Sequence, residues 1–234
     1  MPEARAIIKE IKEQYNTIAS EWNLTRPEAS GIKMQQIKKL KPGDKLLDLG
    51  CGNGLIVSEV LKRKAEYVGV DISSGLIKIA KVKYPGIKFL VGDATKNLKF
   101  ENNSFDKVFS FAVMHHVPGE ELRLKFLQEI YRVLKNGGEA IIINWNLMND
   151  WPRKRYSIEE QIKNPTLGLG QNDFLVGWKA TPGHNVKRYI HLFSVPELKD
   201  LAKRAGFSKI SLDYYTRGGK KEKNGEELVM ILRK

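Results

Sequence analysis

The stretch Leu46-Leu47-Asp48-Leu49-Gly50-Cys51-Gly52-Asn53-Gly54 decides the fold. Its leucines make a short apolar run, with Pro42-Gly43-Asp44 in front and glycines behind, which is the pattern of a buried strand ending in a sharp turn. Three glycines let the backbone approach a ligand where a Cβ would collide. Leu55, Ile56, Val57 and Val60 follow at helical spacing, so the turn is expected to open a helix whose N-terminal amides face a small molecule.

The spacing narrows the ligand. A dinucleotide-binding turn reads G-x-G-x-x-G, whereas this one reads G-x-G-x-G with Asp48 two residues ahead of the first glycine. An acid there suits an ammonium group and not a phosphate. Asp71 closes a second strand, Tyr67-Val68-Gly69-Val70-Asp71, where an acidic side chain takes ribose hydroxyls. Asp93 closes a third, Ile87 to Asp93. Three strands ending at acids beside a glycine turn point to a nucleoside carrying a cationic amino-acid tail. Taken singly, each acid also reads as a solvated strand end or a helix N-cap.

Working outward, strands are expected near 45–50, 66–71, 87–92, 106–112 and 138–145, with helices near 54–63, 74–83 and 121–134. Such alternation implies a parallel sheet with right-handed crossovers. Gly137-Gly138 reads as the C-cap of the third helix. Residues 1–40 look helical, with a break near Thr25-Arg26-Pro27, and are expected to cap the ligand. Between 146 and 194 the periodicity fails around Pro152, Pro165 and Pro182, the Gly168-Leu169-Gly170 turn, and Trp151, Phe174 and Trp178. So long an irregular insert in one 234-residue domain suggests substrate recognition. A helix near 195–205 and two strands, 209–215 and 227–232, are expected to close the sheet as a hairpin.

Composition limits the class. No apolar stretch reaches the roughly 20 residues that span a bilayer, and the N-terminus lacks a signal peptide's apolar core, so a cytoplasmic enzyme without a membrane partner is expected. One cysteine excludes an intramolecular disulfide, and four scattered histidines make no metal site. The formal charge of +13 fits either solvated helix faces or a polyanionic partner. Arg153-Lys154-Arg155 beside Trp151 and Tyr156, Lys187-Arg188 beside Tyr189, and Lys220-Lys221-Glu222-Lys223 favour the second: basic residues among aromatics are what looped RNA requires.

The glycine turn with Asp48, Asp71 and Asp93 resembles the class I S-adenosylmethionine-dependent methyltransferases. That resemblance implies a Rossmann-like α/β fold: a seven-stranded, mostly parallel sheet with one antiparallel strand, flanked by helices. Tyr15-Asn16-Thr17-Ile18-Ala19, Thr25-Arg26, Phe111-Ala112-Val113-Met114-His115-His116-Val117, Trp145, Asp173 to Trp178, and Arg188-Tyr189-Ile190-His191-Leu192-Phe193 resemble one branch, the tRNA wobble-uridine carboxymethyl methyltransferases. The sequence departs from that branch at Gly177 and Ile190.

The resemblance implies S-adenosyl-L-methionine bound by Tyr15, Asp48, Gly50, Cys51, Gly52, Asn53, Gly54, Asp71, Ile72, Asp93, Ala94, Ser110, Phe111, Ala112 and His115. It implies transfer to the carboxylate of 5-carboxymethyluridine in a tRNA anticodon loop, and a small zinc-binding activator subunit as a further partner. A carboxylate is already ionised near neutral pH, so alignment and desolvation are the main demands. A guanidinium fits one carboxylate oxygen while the other attacks, which makes Arg188 and Arg26 candidates, with His116 and Tyr189 beside them.

Plainer readings stand alongside these. Arg188 pairs with a surface acid, His116 covers the sheet end, Tyr189, Trp151 and Trp178 fill core, and Cys51 packs the turn. Two rival functions also remain: a methyltransferase of the same fold acting on a quinone, lipid or metabolite acid, and a non-catalytic subunit that binds cofactor and RNA.

Overall fold

The computed structural model describes residues 2–25, 28–164, 170, 172–178 and 186–234. Its centre is a seven-stranded sheet: β1 (Lys45–Leu49), β2 (Glu66–Asp71), β3 (Lys88–Val91), β4 (Phe105–Phe111), β5 (Leu134–Trp145), β8 (Lys209–Tyr215) and β9 (Glu227–Arg233). The order is β3-β2-β1-β4-β5-β9-β8. β1 to β5 run parallel, and β9 alone runs against both its neighbours. Strand order reverses between β1 and β4, and at such a switch point the carboxyl ends of the strands leave a crevice.

Helices cover both faces. One face packs on α6 (Glu120–Val133) and α9 (Val195–Arg204) through Phe126, Leu127, Ile130, Leu198 and Leu201. The other packs on α3 (Gly31–Ile37), α4 (Val57–Lys62) and α5 (Ser74–Lys83) through Ile32, Ile37, Val57, Val60 and Ile77. Caps set where two of these start: the Ser73 hydroxyl accepts from Leu76 N–H, and Ser194 with Glu197 forms a capping box on α9. Before β1, α1 (Pro2–Thr17) and α2 (Ala19–Thr25) lie over the carboxyl end of the sheet.

Several expectations need correction. α4 begins at Val57 and not at Gly54, because Gly50, Gly52 and Gly54 take φ of 85°, 56° and 76°, which no helix accommodates. β3 ends at Val91, two residues short of Asp93. α6 ends at Val133, and Leu134, already extended, pairs with Phe105 to start β5. Gly137-Gly138 is therefore not a helix cap; it lies at an irregularity within β5, where a Cβ on Gly138 would stand 3.1 Å from the Asp106 carbonyl.

Among its described residues, the 146–194 insert is not irregular. It holds α7 (Asp150–Arg155), α8 (Ile158–Lys163) and an antiparallel hairpin of β6 (Asp173–Gly177) and β7 (Lys187–His191) around a small core of Leu147, Ile158, Phe174, Val176 and Ile190. The hairpin is buried on both faces, so its sequence lacks the polar alternation that marks a half-exposed strand. Pro165, Gly168, Leu169 and Pro182 lie outside the described residues.

Candidate active site

The crevice at the switch point is a cavity under α1 and α2, about 760 Å³ including the space open to solvent. The glycine turn forms one wall. Gly50 and Cys51 N–H groups both donate to the Val70 carbonyl, at 2.7 and 3.0 Å, fastening the turn to β2. A Cβ on Gly50 would stand 2.1 Å from Val113, whereas one at Gly52 would find its nearest neighbour 3.6 Å away, so Gly52 leaves open space for a ligand. Asp71 is tied to the same turn: its Oδ2 accepts from Gly52 N–H and its Oδ1 from Ser73 N–H, both at 2.8 Å. Burial pushes its pKa up, while these amide donors act the other way.

Asp93 lies across the cavity. Its Oδ1 accepts from the Thr95 amide and hydroxyl at 2.9 and 2.6 Å, and Arg5 on α1 reaches its Oδ2 at 3.5 Å. Ile72, Ala94, Phe111 and Ala112 line the same space, and Ile8, Ile11 and Tyr15 of α1 roof it. Ala112, at the end of β4, adopts a φ of 61°, a strained conformation for alanine and one that recurs at functional sites.

Other expected cofactor residues stand elsewhere. Asp48 points beneath the turn, on the same side of β1 as Leu46, where its Oδ2 accepts from the Tyr67 hydroxyl at 2.7 Å. Side chains alternate along a strand, so Asp48 cannot share the side on which Leu47 and Leu49 pack. Burial is the main cause of its pKa, pushed up to about 7; the Tyr67 hydrogen bond opposes this and the Asp71 charge adds to it. Cys51 is a buried thiol whose pKa burial holds well above the ordinary value, so it packs the turn. Asn53 binds Asn23 at 2.8 Å, and Gly54 packs near Tyr84. Ser110 and His115 are fully buried and line neither the cavity nor the cleft beyond it.

Trp22, Phe111 and Ala112 also line a second cleft, about 1300 Å³ including the space open to solvent, together with Trp145, Trp151, Tyr156, Trp178 and Arg188. Arg188, on β7 opposite Val176, is only 2% exposed. Its guanidinium lies 5.4 Å from the Trp145 ring centre and 5.2 Å from that of Trp178, with the Tyr15 hydroxyl 3.5 Å away. No carboxylate lies within ion-pair distance among the described residues, and its Nε has no partner. A buried guanidinium with no carboxylate beside it among the described residues has the chemistry to accept an anion.

His116 lines the cavity with both ring nitrogens engaged, Nε2 with the Tyr15 hydroxyl at 2.8 Å and Nδ1 with the Tyr189 carbonyl at 2.7 Å. Facing a carbonyl, Nδ1 carries the proton, so Nε2 accepts from Tyr15. Burial, reinforced by the Arg188 charge, lowers its pKa to about 3. It is a neutral ring that holds Tyr15 in place. Tyr189 faces away from Arg188, because neighbours on a strand take opposite faces. Its hydroxyl donates to Asp173 at 2.6 Å and accepts from Arg123 at 2.9 Å. His191 bridges Asp173 at 2.7 Å and Glu197 at 2.9 Å. This network joins the hairpin to α6 and α9, and Tyr189 lines neither the cavity nor the second cleft. Arg26 lies outside the described residues.

Sequence reasoning did not assign Trp22, Thr95, Arg5 or Asn16 a role. Asn16 accepts from the Ser73 hydroxyl and from Gly75 N–H, at 2.8 and 3.0 Å, joining α1 to the loop after β2. Its only signal in the sequence was its place in the Tyr15-Asn16-Thr17-Ile18-Ala19 segment. Among the described residues, no cluster of side chains matches a metal site, and no helix is long and apolar enough to cross a membrane.

Comparison with known proteins agrees with this geometry. Residues 47–142 match a methyltransferase domain family. A Saccharomyces cerevisiae tRNA (carboxymethyluridine(34)-5-O)-methyltransferase is 32% identical over 175 residues, covering 74% of this chain and 61% of the relative. The Schizosaccharomyces pombe protein of the same name is 29% identical over 213 residues, covering 87% and 91%. A solved SAM-dependent methyltransferase from Methanosarcina mazei is 27% identical with a TM-score of 0.65, covering 84% of this chain and 95% of that one. The sheet order, the glycine turn tied to Asp71, and these relatives agree: the chain belongs to the class I S-adenosylmethionine-dependent methyltransferases.

Proposed function

We propose that this enzyme transfers a methyl group to the carboxylate of 5-carboxymethyluridine at the wobble position of tRNA, forming the methyl ester. The observation that carries the reading is Arg188, a buried guanidinium without an acid partner among the described residues, in a cleft that shares lining residues with the cofactor cavity. S-adenosylmethionine supplies an electrophilic methyl on its sulfonium, and Gly52, Asp71 and Asp93 are the residues that would hold it. Arg188 grips one substrate oxygen and aims the other. His116 moves no proton: a carboxylate needs no base, and the ring stays neutral at working pH. Its work is to fix Tyr15, whose ring walls the cavity.

The tRNA assignment draws on the names of the relatives and on the basic, aromatic lining of the outer cleft. A small zinc-binding activator would find a free sheet edge at β3, where Val91 is 53% exposed and Val82 on the adjoining α5 is 76% exposed. The test is incubation with methyl-labelled cofactor and tRNA bearing 5-carboxymethyluridine, with and without such a subunit. Alkali-labile label in the RNA is expected. Label in a small metabolite acid, or an alkali-stable product, would sink the assignment.

A further inference from the structure

At the outer end of the cleft is a cluster that the methyl transfer does not use. Trp151, on α7, is 46% exposed. The Arg217 guanidinium, from the turn between β8 and β9, lies 4.3 Å from its ring centre. Arg155, one turn along α7, lies 5.2 Å from the same ring and 5.8 Å from Tyr156. Neither guanidinium has a carboxylate within ion-pair distance among the described residues. Their basic neighbours do: Arg153 pairs with Glu159, and Lys33 with Glu227 at 3.1 Å. All three side chains line the cleft that holds Arg188 and shares lining residues with the cofactor cavity.

Two like charges gathered on one exposed indole repel each other, and an anion between them relieves the strain. A carboxylic metabolite would satisfy a guanidinium and leave the indole in water. A ligand that offers a flat ring and a phosphate together meets both demands, and that ligand is a nucleotide in a single strand. Arg188 is buried in the same cleft whereas Trp151 is half exposed, so the cluster suits a neighbour of the reacting nucleotide better than the nucleotide itself.

We propose that Trp151, Arg155 and Arg217 form a subsite for the nucleotide adjoining the methylated uridine, the base stacking on the indole and its phosphates taking the two guanidiniums. The subsite rests on reading the cleft as an RNA site, and its role is positioning: none of its atoms touches the reacting carboxylate. It also assigns a use to Arg217, which nothing in the local sequence connects with Trp151.

Two measurements test it on the full chain. With tRNA bearing 5-carboxymethyluridine, Trp151→Ala should raise KM roughly tenfold to a hundredfold, the loss of one stacked base, with kcat and cofactor affinity within about twofold of wild type. Trp151→Phe should restore most of the loss. Arg155→Gln and Arg217→Gln should each lower the slope of log KM against log salt by about 0.7. Separately, the anisotropy of a labelled, unmodified uridine-rich single-stranded RNA reports binding without chemistry, and Trp151→Ala should weaken it by a similar factor. An unchanged RNA affinity in Trp151→Ala overturns the subsite, as does a fall in kcat with KM unchanged. Trp151-dependent RNA binding by an enzyme that methylates no tRNA would uphold the subsite while refuting the proposed reaction.

Discussion

Replacing Arg188 with methionine removes the charge while keeping a chain of similar length, and the structure sets opposite expectations for stability and activity. In the free protein, the guanidinium gains from the Trp145 and Trp178 rings, each contact being worth about 0.5–2 kcal/mol. Against this stands an unpartnered buried Nε–H, which costs about 1–3 kcal/mol. The charge is moreover held away from water, which also costs stability, so Arg188→Met should destabilise the fold by no more than about 1 kcal/mol, or roughly 2–4 °C in Tm for a chain of this size. Activity should respond very differently. Removing one partner of a desolvated guanidinium–carboxylate contact costs about 3–5 kcal/mol, so kcat/KM should fall by about two to four orders of magnitude. The assays are a thermal melt, transfer of labelled methyl to modified tRNA, and calorimetric titration with S-adenosylmethionine, whose affinity should not move. A loss of about 10 °C would mean that Arg188 is a structural residue with a partner, and a kcat/KM within tenfold of wild type would mean that it does not grip the carboxylate. Either result refutes the reasoning.

Asp71→Ala strips the acceptors from Gly52 N–H and Ser73 N–H, so S-adenosylmethionine should bind at least about tenfold more weakly in a calorimetric titration; unchanged affinity would remove Asp71 from the cofactor site. Asp48 carries a folded pKa of about 7, above its unfolded value, so the stability it contributes is complete below about pH 4 and is lost as pH rises to about 7. Asp48→Asn should therefore shrink the fall in Tm between pH 5 and pH 8, and a variant that keeps the wild-type slope would contradict that account. Asp173 has the opposite sign. Burial tends to raise its pKa, but hydrogen bonds from His191 and Tyr189 and the Arg123 charge outweigh burial and leave it depressed. Its contribution is present above about pH 4 and is lost as pH falls through the lowered value, so Asp173→Asn should melt earlier than wild type at pH 7, with the gap closing in acid.

Much of the fold is legible from local pattern. β1, β2 and β8 read as strands, and α5 as a helix, because apolar periodicity and flanking turn residues depend only on neighbours in the chain. Misreadings came where tertiary contact overrode that pattern. Gly137-Gly138 has the look of a helix cap but lies within β5, because Leu134 finds Phe105 as a partner and the chain must pass close to Asp106. The hairpin of β6 and β7 stayed hidden because both of its faces are covered, so nothing polar alternates along it.

The same division runs through the site. Parallel strands all end at one edge of a sheet, so a glycine turn followed by acids near successive strand ends places a cofactor crevice from sequence alone. Which side chains enter that crevice is a matter of pleat and packing. Asp48 falls under the turn, Tyr189 turns into a network with Arg123, Asp173 and His191, and His116 becomes a neutral brace for Tyr15. Charge compensation likewise exists only through space: Arg153 has an acid, Arg188 has none among the described residues, and Arg217 crosses to Trp151 from another segment. The sequence by itself determined the sheet and the cofactor's place on it, since both follow from local geometry. Only the tertiary structure decided which cations stay unpaired, and so where an anionic substrate would sit, since that depends on partners brought together by folding.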